Sequence, residues 1–129
     1  MGQIYSSYNN CNYIQLQEKI ENKNQVVLLT TLSTNDYLIK GTIHVNLECD
    51  FVNNLAKKDK SKEIVVYGKD HLDMRVIKKY NELKKIGFVN VSIYFGGLFE
   101  WALLQETYGK SNFQTDGNMD DPMSITQFS

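Results

Sequence analysis

Cysteine and histidine are scarce in this chain, which has only Cys11, Cys49, His44 and His71 among its 129 residues. Two cysteines cannot form the disulfide framework that holds small secreted domains together, so a reducing compartment is indicated. The four side chains are scattered along the sequence and lack the ligand spacing of a zinc site. We therefore expect no metal and no cofactor.

The chain also lacks any apolar run approaching the roughly 18 residues that a membrane-spanning helix needs. Its first residues do not show the basic start and apolar core of a secretory signal. Lys and Arg number 14 against 15 Asp and Glu, a formal net charge of -1, so there is no basic excess for nucleic-acid binding. These absences predict a small cytoplasmic domain that binds no nucleic acid, free or on the cytosolic face of a membrane.

Proline occurs once, at Pro122, and alanine twice, at Ala56 and Ala102, whereas Asn, Lys, Ile and Tyr are frequent. This bias is typical of AT-rich coding sequences such as those of some protists and large DNA viruses, and a viral origin is one expectation. A chain of 129 residues with 42% hydrophobic residues can bury about two-thirds of its unfolded surface. The composition therefore suits one domain with a core of its own.

Apolar strands alternate with amphipathic helices along the chain. Four β-branched runs are predicted as strands: Val26–Leu29, Thr42–Val45, Ile64–Tyr67 and Val89–Tyr94. Helical spacing predicts helices over 47–56, Val76–Ile86 with a stop at Gly87, and about Leu98–Tyr108, while 13–21 suits a short strand and a short helix. Residues 1–12 are predicted as a flexible arm, 13–108 as the domain and 109–129 as a loose tail.

This alternation favours an α/β fold: a single three-layer domain with a central parallel sheet of about five strands flanked by helices. In such sheets, ligands bind beyond the carboxyl ends of the strands, in the loops that lead into helices. The clearest strand, Ile64–Tyr67, precedes the clearest helix, Val76–Ile86. The loop between them, which begins at Gly68, is therefore the first place to look for chemistry.

Several pieces of the sequence follow one another in an order that a known family shares. They are the strand at 64–67, a Leu-x-x-x-Gly-Phe helix end at 83–88, the strand at 91–94 and a Gly-Gly-x-x-x-Trp element at 96–101. This stretch resembles the C-terminal half of a rhodanese-like (sulfurtransferase) domain, and 38–45 resembles the segment before the second strand of that family. The resemblance covers roughly residues 13–108 and implies the rhodanese-like fold.

The departures from the family pattern lie at the site. Active members carry sulfur as a persulfide on a cysteine directly after the strand, and the resemblance matches that position to Gly68. The degenerate loop has no thiol and consists of Gly68, Lys69, Asp70, His71, Leu72 and Asp73. Persulfide chemistry needs a thiolate, so the sequence predicts no catalytic residue here. Thr30 and Thr31 stand where the family has an acidic residue and an arginine, and Leu38 where it has a histidine.

In two alternative hypotheses the protein is an enzyme. In the first, Cys49 or a partner's thiol replaces the missing cysteine, although the acidic neighbours of Cys49 would raise its pKa. In the second, Asp70, His71 and Asp73 perform chemistry that does not involve sulfur. Competing with the second is a structural interpretation in which Asp70 or Asp73 caps the following helix and His71 is solvated.

Other conspicuous residues suit structural roles. His44 is expected to pack in the core from within its strand. Gly96 and Gly97 are expected to allow close approach of backbone at the turn before the last helix. Trp101 is expected to pack rather than to bind a cofactor.

The N-terminus carries a second motif, because Gly2 followed by Ser6 matches the N-myristoylation pattern. One myristoyl chain binds membranes only marginally, and the arm has no Lys or Arg, so Cys11 is the candidate for a second lipid. Together these features predict a catalytically inactive rhodanese-like module. We expect it to bind or scaffold an unidentified protein partner and to attach peripherally to a membrane through Gly2.

Overall fold

A computed structural model describes residues 8–22, 26–117 and 122–127. Its strands are β1 (Val26–Thr30), β2 (Leu38–Ile39), β3 (Glu63–Tyr67), β4 (Val91–Tyr94) and β5 (Thr115–Asp116). Its α-helices are α1 (Tyr13–Glu21), α2 (Glu48–Lys58), α3 (Arg75–Ile86) and α4 (Gly97–Tyr108). Short 3-10 helices lie at Val45–Leu47 and Pro122–Gln127. The predicted α/β class is confirmed.

The central sheet is parallel, with the strand order β1-β3-β4. One isolated parallel bridge extends it at each edge: Asn10 pairs with Ile93 of β4, and Thr42 pairs with Leu28 of β1. Five chain segments therefore lie side by side, as predicted, but the two outer segments contribute one bridge each instead of a strand. The strands predicted at Val26–Leu29 and Ile64–Tyr67 are confirmed as β1 and β3, and the one predicted at Val89–Tyr94 is confirmed as β4 except that it begins at Val91.

Helices cover both faces of this sheet, so its strands are buried on both sides. Side chains alternate between the faces: Val27, Leu29 and Val66 join a cluster with α2 and α3, whereas Leu28 and Val65 join a cluster with α1 and α4. The central strand β3 is buried from Ile64 to Tyr67. No helix in the described ranges is long and apolar enough to span a bilayer.

Helix ends follow local chemistry. Asn12 and Gln15 form a reciprocal capping box at the start of α1, which is a helix throughout instead of the predicted strand and helix. Gly87 ends α3 with φ of 117° and donates its N–H to Leu83 and Lys84 carbonyls. The predicted helix Val76–Ile86 and its stop at Gly87 are confirmed.

The strand predicted over Thr42–Val45 is wrong. The N–H and the hydroxyl of Thr42 both donate to the Ile39 carbonyl, over 3.1 and 2.6 Å, which folds the chain into a turn. One bridge to Leu28 follows, and the 3-10 turn then begins at Val45. His44 consequently lies exposed before that turn, so its expected place in the core is also wrong.

The predicted arm and tail differ from the structure where they are described. Cys11 is buried, and its N–H donates to Ile93 of β4, so residues 9–11 belong to the sheet. In the tail, β5 pairs antiparallel with β2, and Phe113 and Ile125 are buried. The domain therefore extends at least from Asn9 to Ile125, because these separate apolar residues pack against elements far away in sequence.

Candidate functional site

The candidate site is the β3–α3 loop, residues 68–74, at the carboxyl end of the central strand. The amino end of α4 holds it from one side: Leu98 N–H donates to the Gly68 carbonyl over 2.9 Å, and Phe99 N–H donates to the Lys69 carbonyl over 2.8 Å. A Cβ on Gly97, which has φ of 70°, would lie 2.7 Å from the Gly68 oxygen and 2.8 Å from the Asp70 nitrogen. Close approach of backbone, predicted for this Gly-Gly turn, is confirmed at Gly97.

The Asp73 carboxylate lies at the centre of the loop, and its side chain is 2% exposed. Its Oδ2 accepts hydrogen bonds from the Thr31 hydroxyl at 2.7 Å, the Lys69 N–H at 3.1 Å and the Arg75 guanidinium at 2.8 Å. Its Oδ1 accepts from the Arg75 N–H at 3.2 Å and from Arg75 Nε at 2.8 Å. One carboxylate therefore joins the end of β1, the loop and the first residue of α3.

Asp73 also fills the space beside Gly68. A Cβ built on Gly68 would lie 2.7 Å from Asp73 Cγ and 2.9 Å from Asp73 Cβ, well inside van der Waals contact. A side chain at residue 68 and the observed position of Asp73 are therefore mutually exclusive. In this chain, the loop surrounds a carboxylate of its own instead of a group carried by residue 68.

The electrostatics of the loop agree with this arrangement. Burial acts to raise the pKa of Asp73, but the hydrogen bonds from Arg75, Thr31 and Lys69 outweigh burial and hold its pKa well below the usual value. The hydrogen bond to Asp73 raises the pKa of Arg75 in turn. A permanent negative charge inside the loop opposes the binding of a second anion at that point.

The other loop residues do not converge on Asp73. Asp70 Oδ1 accepts the Leu72 N–H over 3.0 Å, while His71 is exposed and has no hydrogen bond or ion pair with any described residue. Asp73 accepts the first N–H of α3, but the N-cap position is Met74, which makes no side-chain cap bond, so neither Asp70 nor Asp73 is the N-cap residue that the sequence predicted. Among the described residues there is also no group of His, Cys, Asp and Glu that could hold a metal ion.

Neither cysteine lies in the loop. Cys49 is exposed on α2, and its contact is with the side chain of Asn53, one helical turn later. Cys11 is buried beside β4, and burial raises the pKa of its thiol to about 11. Cys11 is therefore a neutral thiol at pH 7, which is a poor nucleophile.

The Tyr94–Glu100 pair is a feature that the sequence reasoning missed. The Tyr94 hydroxyl donates to Glu100 Oε1 over 2.6 Å at the carboxyl end of β4, and burial together with Glu100 strongly raises the pKa of Tyr94. The pair borders a cleft of about 390 Å³ that also touches Cys11. The signal in the sequence was Glu100, which lies in the first turn of α4 just after Gly96 and Gly97.

A second cleft, of about 400 Å³, lies beside the loop on the opposite side. Its wall combines Thr31 with the cationic side chains Arg75, Lys78 and Lys79 and the carboxylates of Glu48 and Glu82. Lys79 forms an ion pair with Glu48, and Arg75 is engaged by Asp73. The cleft is thus of mixed charge, and its cations are largely neutralised by their own neighbours.

Comparisons with known proteins agree with this geometry. The family model described as Rhodanese-like domain matches residues 13–104. A crystal structure of the Alr3790 protein from Anabaena sp. is 26% identical, with a TM-score of 0.61, over 90% of this chain and 99% of that chain. A solution structure of the rhodanese-like domain of Alr3790 is also 26% identical, with a TM-score of 0.61, over 87% of this chain and 81% of that chain.

Thiosulfate sulfurtransferase from Pseudomonas aeruginosa is 15% identical, with a TM-score of 0.64, over 88% of this chain and 21% of that chain. At that identity, the likeness shows the fold alone. Comparison with curated proteins finds no match. The family model and the shared fold together establish that this chain belongs to the rhodanese-like domain family.

Proposed function

We propose that this chain is a rhodanese-like domain that transfers no sulfur and serves as a binding or scaffolding module. The observation that carries the proposal is the Asp73 carboxylate packed against Gly68. Sulfur transfer in the family uses a cysteine at the position that we match to Gly68, and glycine has no atom that could hold a persulfide. A buried carboxylate also replaces the anionic sulfur species that such a loop would otherwise surround.

The surface of the loop supports a protein partner. Leu72 is 71% exposed at the tip of the loop, and Met74 is exposed just before α3. Val45 and Leu47, which precede α2, are also exposed. Exposed apolar side chains next to a rigid loop are typical of protein-binding surfaces. An acyl chain on Gly2 would bring this module to a membrane, and Gly2 lies outside the described residues.

The activity test compares the protein with a matched pair of variants. We expect the unmodified protein to give no thiosulfate:cyanide turnover above buffer, and mass spectrometry to find no persulfide on Cys11 or Cys49. Gly68→Cys alone should lower the melting temperature, because its side chain collides with Asp73. Adding Asp73→Ser should remove this collision and leave the Lys69 N–H and Arg75 free to stabilise a thiolate, while it also removes the stability that the Asp73 carboxylate contributes.

Persulfide on the double variant and not on the single variant would support the exclusion of residue 68 by Asp73. Equal sulfur loading of the two variants would contradict that exclusion. Turnover by the unmodified protein would overturn the proposal as a whole.

The binding test uses two exposed leucines on opposite sides of the domain. Leu72→Asp should abolish capture of partner proteins from cell extract, because it places a charge at the centre of the proposed contact. Leu103→Asp, on α4, introduces the same charge on an exposed leucine away from the loop and should leave capture unchanged. Equal capture by the two variants would exclude the loop as the binding surface.

A further inference from the structure

Basic residues are concentrated on one layer of the molecule. The segment from Lys57 to Lys85 holds ten of the 14 Lys and Arg but only five of the 15 Asp and Glu. It comprises the end of α2, β3 and α3, and both of these helices pack on the same face of the sheet. The protein therefore has a net charge near zero but a strongly uneven distribution of charge.

The highest density lies where two turns meet, and we name this region the lysine-rich tip. It consists of the exposed residues Lys57, Lys58, Lys60, Lys84, Lys85, Ile86 and Val89. Val89 N–H donates to the Lys60 carbonyl over 3.1 Å, which ties the α2–β3 turn to the α3–β4 turn. None of the five lysines forms an ion pair with a described residue.

Two aliphatic side chains project among these lysines. Ile86 is 42% exposed and Val89 is 66% exposed. Asp59, between Lys58 and Lys60, accepts hydrogen bonds from Ser61 and sets one negative charge against the five lysines. Exposed aliphatic groups among lysines that have no acidic partner match the layered chemistry of an anionic bilayer, which has charged headgroups above an apolar interior.

The chain enters the fold at the same end. Tyr8 packs edge to face on Tyr80 of α3, with ring centroids 5.2 Å apart, and Lys84 Nζ lies 6.0 Å from the Tyr80 ring centroid. Asn9 Nδ2 donates to the carbonyl of Val91, the first residue of β4. Gly2 precedes Tyr8 by six residues, which limits its distance from Tyr8 to about 20 Å.

We propose that the lysine-rich tip docks on an anionic lipid bilayer, with Ile86 and Val89 entering the region between headgroups and acyl chains. The inference deepens the membrane attachment in the proposed function, but it concerns a surface of the folded domain and does not need the acyl chain. Because the strands are parallel, the tip and the β3–α3 loop lie at opposite ends of the sheet. A docked domain presents its candidate site to the solution.

A bilayer suits the tip better than a nucleic acid. Lysine ammonium groups attract both lipid headgroups and nucleic-acid phosphates, but aliphatic side chains gain nothing from a hydrated phosphate backbone. The tip contains no arginine and no exposed aromatic ring, the side chains that read bases or stack on them. Lysine stems, in contrast, pack well along the boundary between headgroups and acyl chains.

The test uses purified protein without an acyl chain and sedimentation with vesicles. We expect binding to vesicles of phosphatidylcholine with phosphatidylserine, none to phosphatidylcholine alone, and release as salt rises. Lys84→Gln with Lys85→Gln should lower the partition coefficient about 25-fold, that is, about fivefold for each lysine. The control Lys40→Gln with Lys110→Gln changes net charge equally on the other layer and should bind as the parent does.

The aliphatic groups have their own variants. Val89→Asn should lower the partition coefficient roughly tenfold, whereas Leu103→Asn, an exposed leucine on α4, should not change it. Melting temperatures verify that all variants fold, since the altered residues are exposed. The proposal is overturned by absence of binding to anionic vesicles, by equal losses in tip and control variants, or by tighter binding to RNA or duplex DNA at the same salt. Each of these results leaves the sulfur-transfer test untouched.

Discussion

At the residue scale, the position of Asp73 depends on contacts from three parts of the chain. Thr31 lies 42 residues before it, Lys69 lies within the loop, and Arg75 begins α3. These donors stabilise only the ionised carboxylate, which is why the pKa of Asp73 is held low despite burial. Removing the charge would leave the donors without an acceptor of equal strength.

Asp73→Asn is therefore expected to lower the free energy of unfolding at pH 7 by about 2 kcal/mol. Because the pKa of Asp73 is depressed in the folded state, its stabilisation is present above the ordinary value of 3.8 and is lost as the pH falls below it. Urea unfolding from pH 7 down to pH 2 should show the parent and variant curves converging in acid. Asp70→Asn is the matched control, and a loss as large as that of Asp73→Asn would contradict this account.

The sequence could predict part of this site. Gly68 after a buried strand and an aspartate shortly before a periodic helix are both local patterns that the sequence shows, although the N-cap position is Met74. The contact from Thr31 arises between the ends of β1 and β3, which are neighbours only in the folded sheet. The exclusion of a side chain at residue 68 depends on how the loop folds back on itself, which no local pattern encodes. Asp73 could therefore be predicted at the start of α3 but not as the group that fills the loop.

At the element scale, α4 and the β3–α3 loop lie in close contact because Gly97 has no side chain. Gly97 places the first turn of α4 against the backbone of Gly68 and Asp70, and the next two N–H groups of α4 bind loop carbonyls. The helix position and the loop conformation are therefore coupled. A change in either element should be transmitted to the other.

Gly97→Ala should destabilise the protein by more than its positive φ alone requires. Strain at φ of 70° costs roughly 1–3 kcal/mol, and the clash with the Gly68 oxygen adds to it. Gly109→Ala, at φ of 100° on the other end of α4, has open space around its Cβ and isolates the conformational cost. Chemical denaturation of both variants measures the difference. Equal losses of unfolding free energy in the two variants would mean that the loop moves away from the added Cβ without a measurable cost.

Elements with strong local determinants agree with the prediction, and those without them do not. α3 has a continuous apolar stripe and a glycine stop, and β3 is a run of four buried residues. Thr42–Val45 has the composition of a strand, but the Thr42 hydroxyl competes for the Ile39 carbonyl and turns the chain. β2 and β5 are two residues long and their paired residues lie 76 and 78 positions apart in the sequence, a contact that periodicity cannot indicate.

At the scale of the whole molecule, the C-terminal segment completes the core over α4. Gln105 donates to the Phe113 carbonyl over 2.7 Å and to the Thr115 hydroxyl over 3.0 Å, and Trp101 Nε1 donates to the Gln114 carbonyl. Phe113 packs edge to face on Trp101 with centroids 5.0 Å apart. These residues cover apolar surface that the sheet and helices leave open.

Phe113→Ala should accordingly lower the free energy of unfolding by roughly 3–5 kcal/mol. Met123 also lies after Gly109, but its side chain is 58% exposed. Met123→Ala should therefore change the free energy of unfolding by less than about 0.5 kcal/mol. Thermal and urea melts compare the two. A neutral Phe113→Ala would mean that residues after Gly109 form the loose tail that their composition predicts.

N-myristoylation at Gly2 concerns the whole molecule through its location in the cell. Intact mass should show loss of Met1 and addition of a fourteen-carbon chain. Gly2→Ala should lack the chain, and its membrane-bound fraction should fall to what the lysine-rich tip alone provides. Burial at about 0.8 kcal/mol per methylene gives marginal attachment, so the bound fraction of the parent should be partial. Cys11→Ser should not reduce it, because Cys11 is buried in the sheet. An unmodified Gly2 in cells competent for acylation would contradict the prediction of a lipid at this residue.

The single bridges that end the central sheet also limit how copies of this protein can associate. A sheet grows between molecules when a long, flat edge strand exposes a row of free N–H and C=O groups. Here the segments beside β1 and β4 follow the sheet for one bridge each, at Thr42 and Asn10, and then turn away from it. Within the part of the chain that the structure describes, neither edge of the central sheet offers a template for an incoming strand. A concentrated solution of the folded domain should therefore resist fibril formation, and fibrils should appear only after these edges unfold.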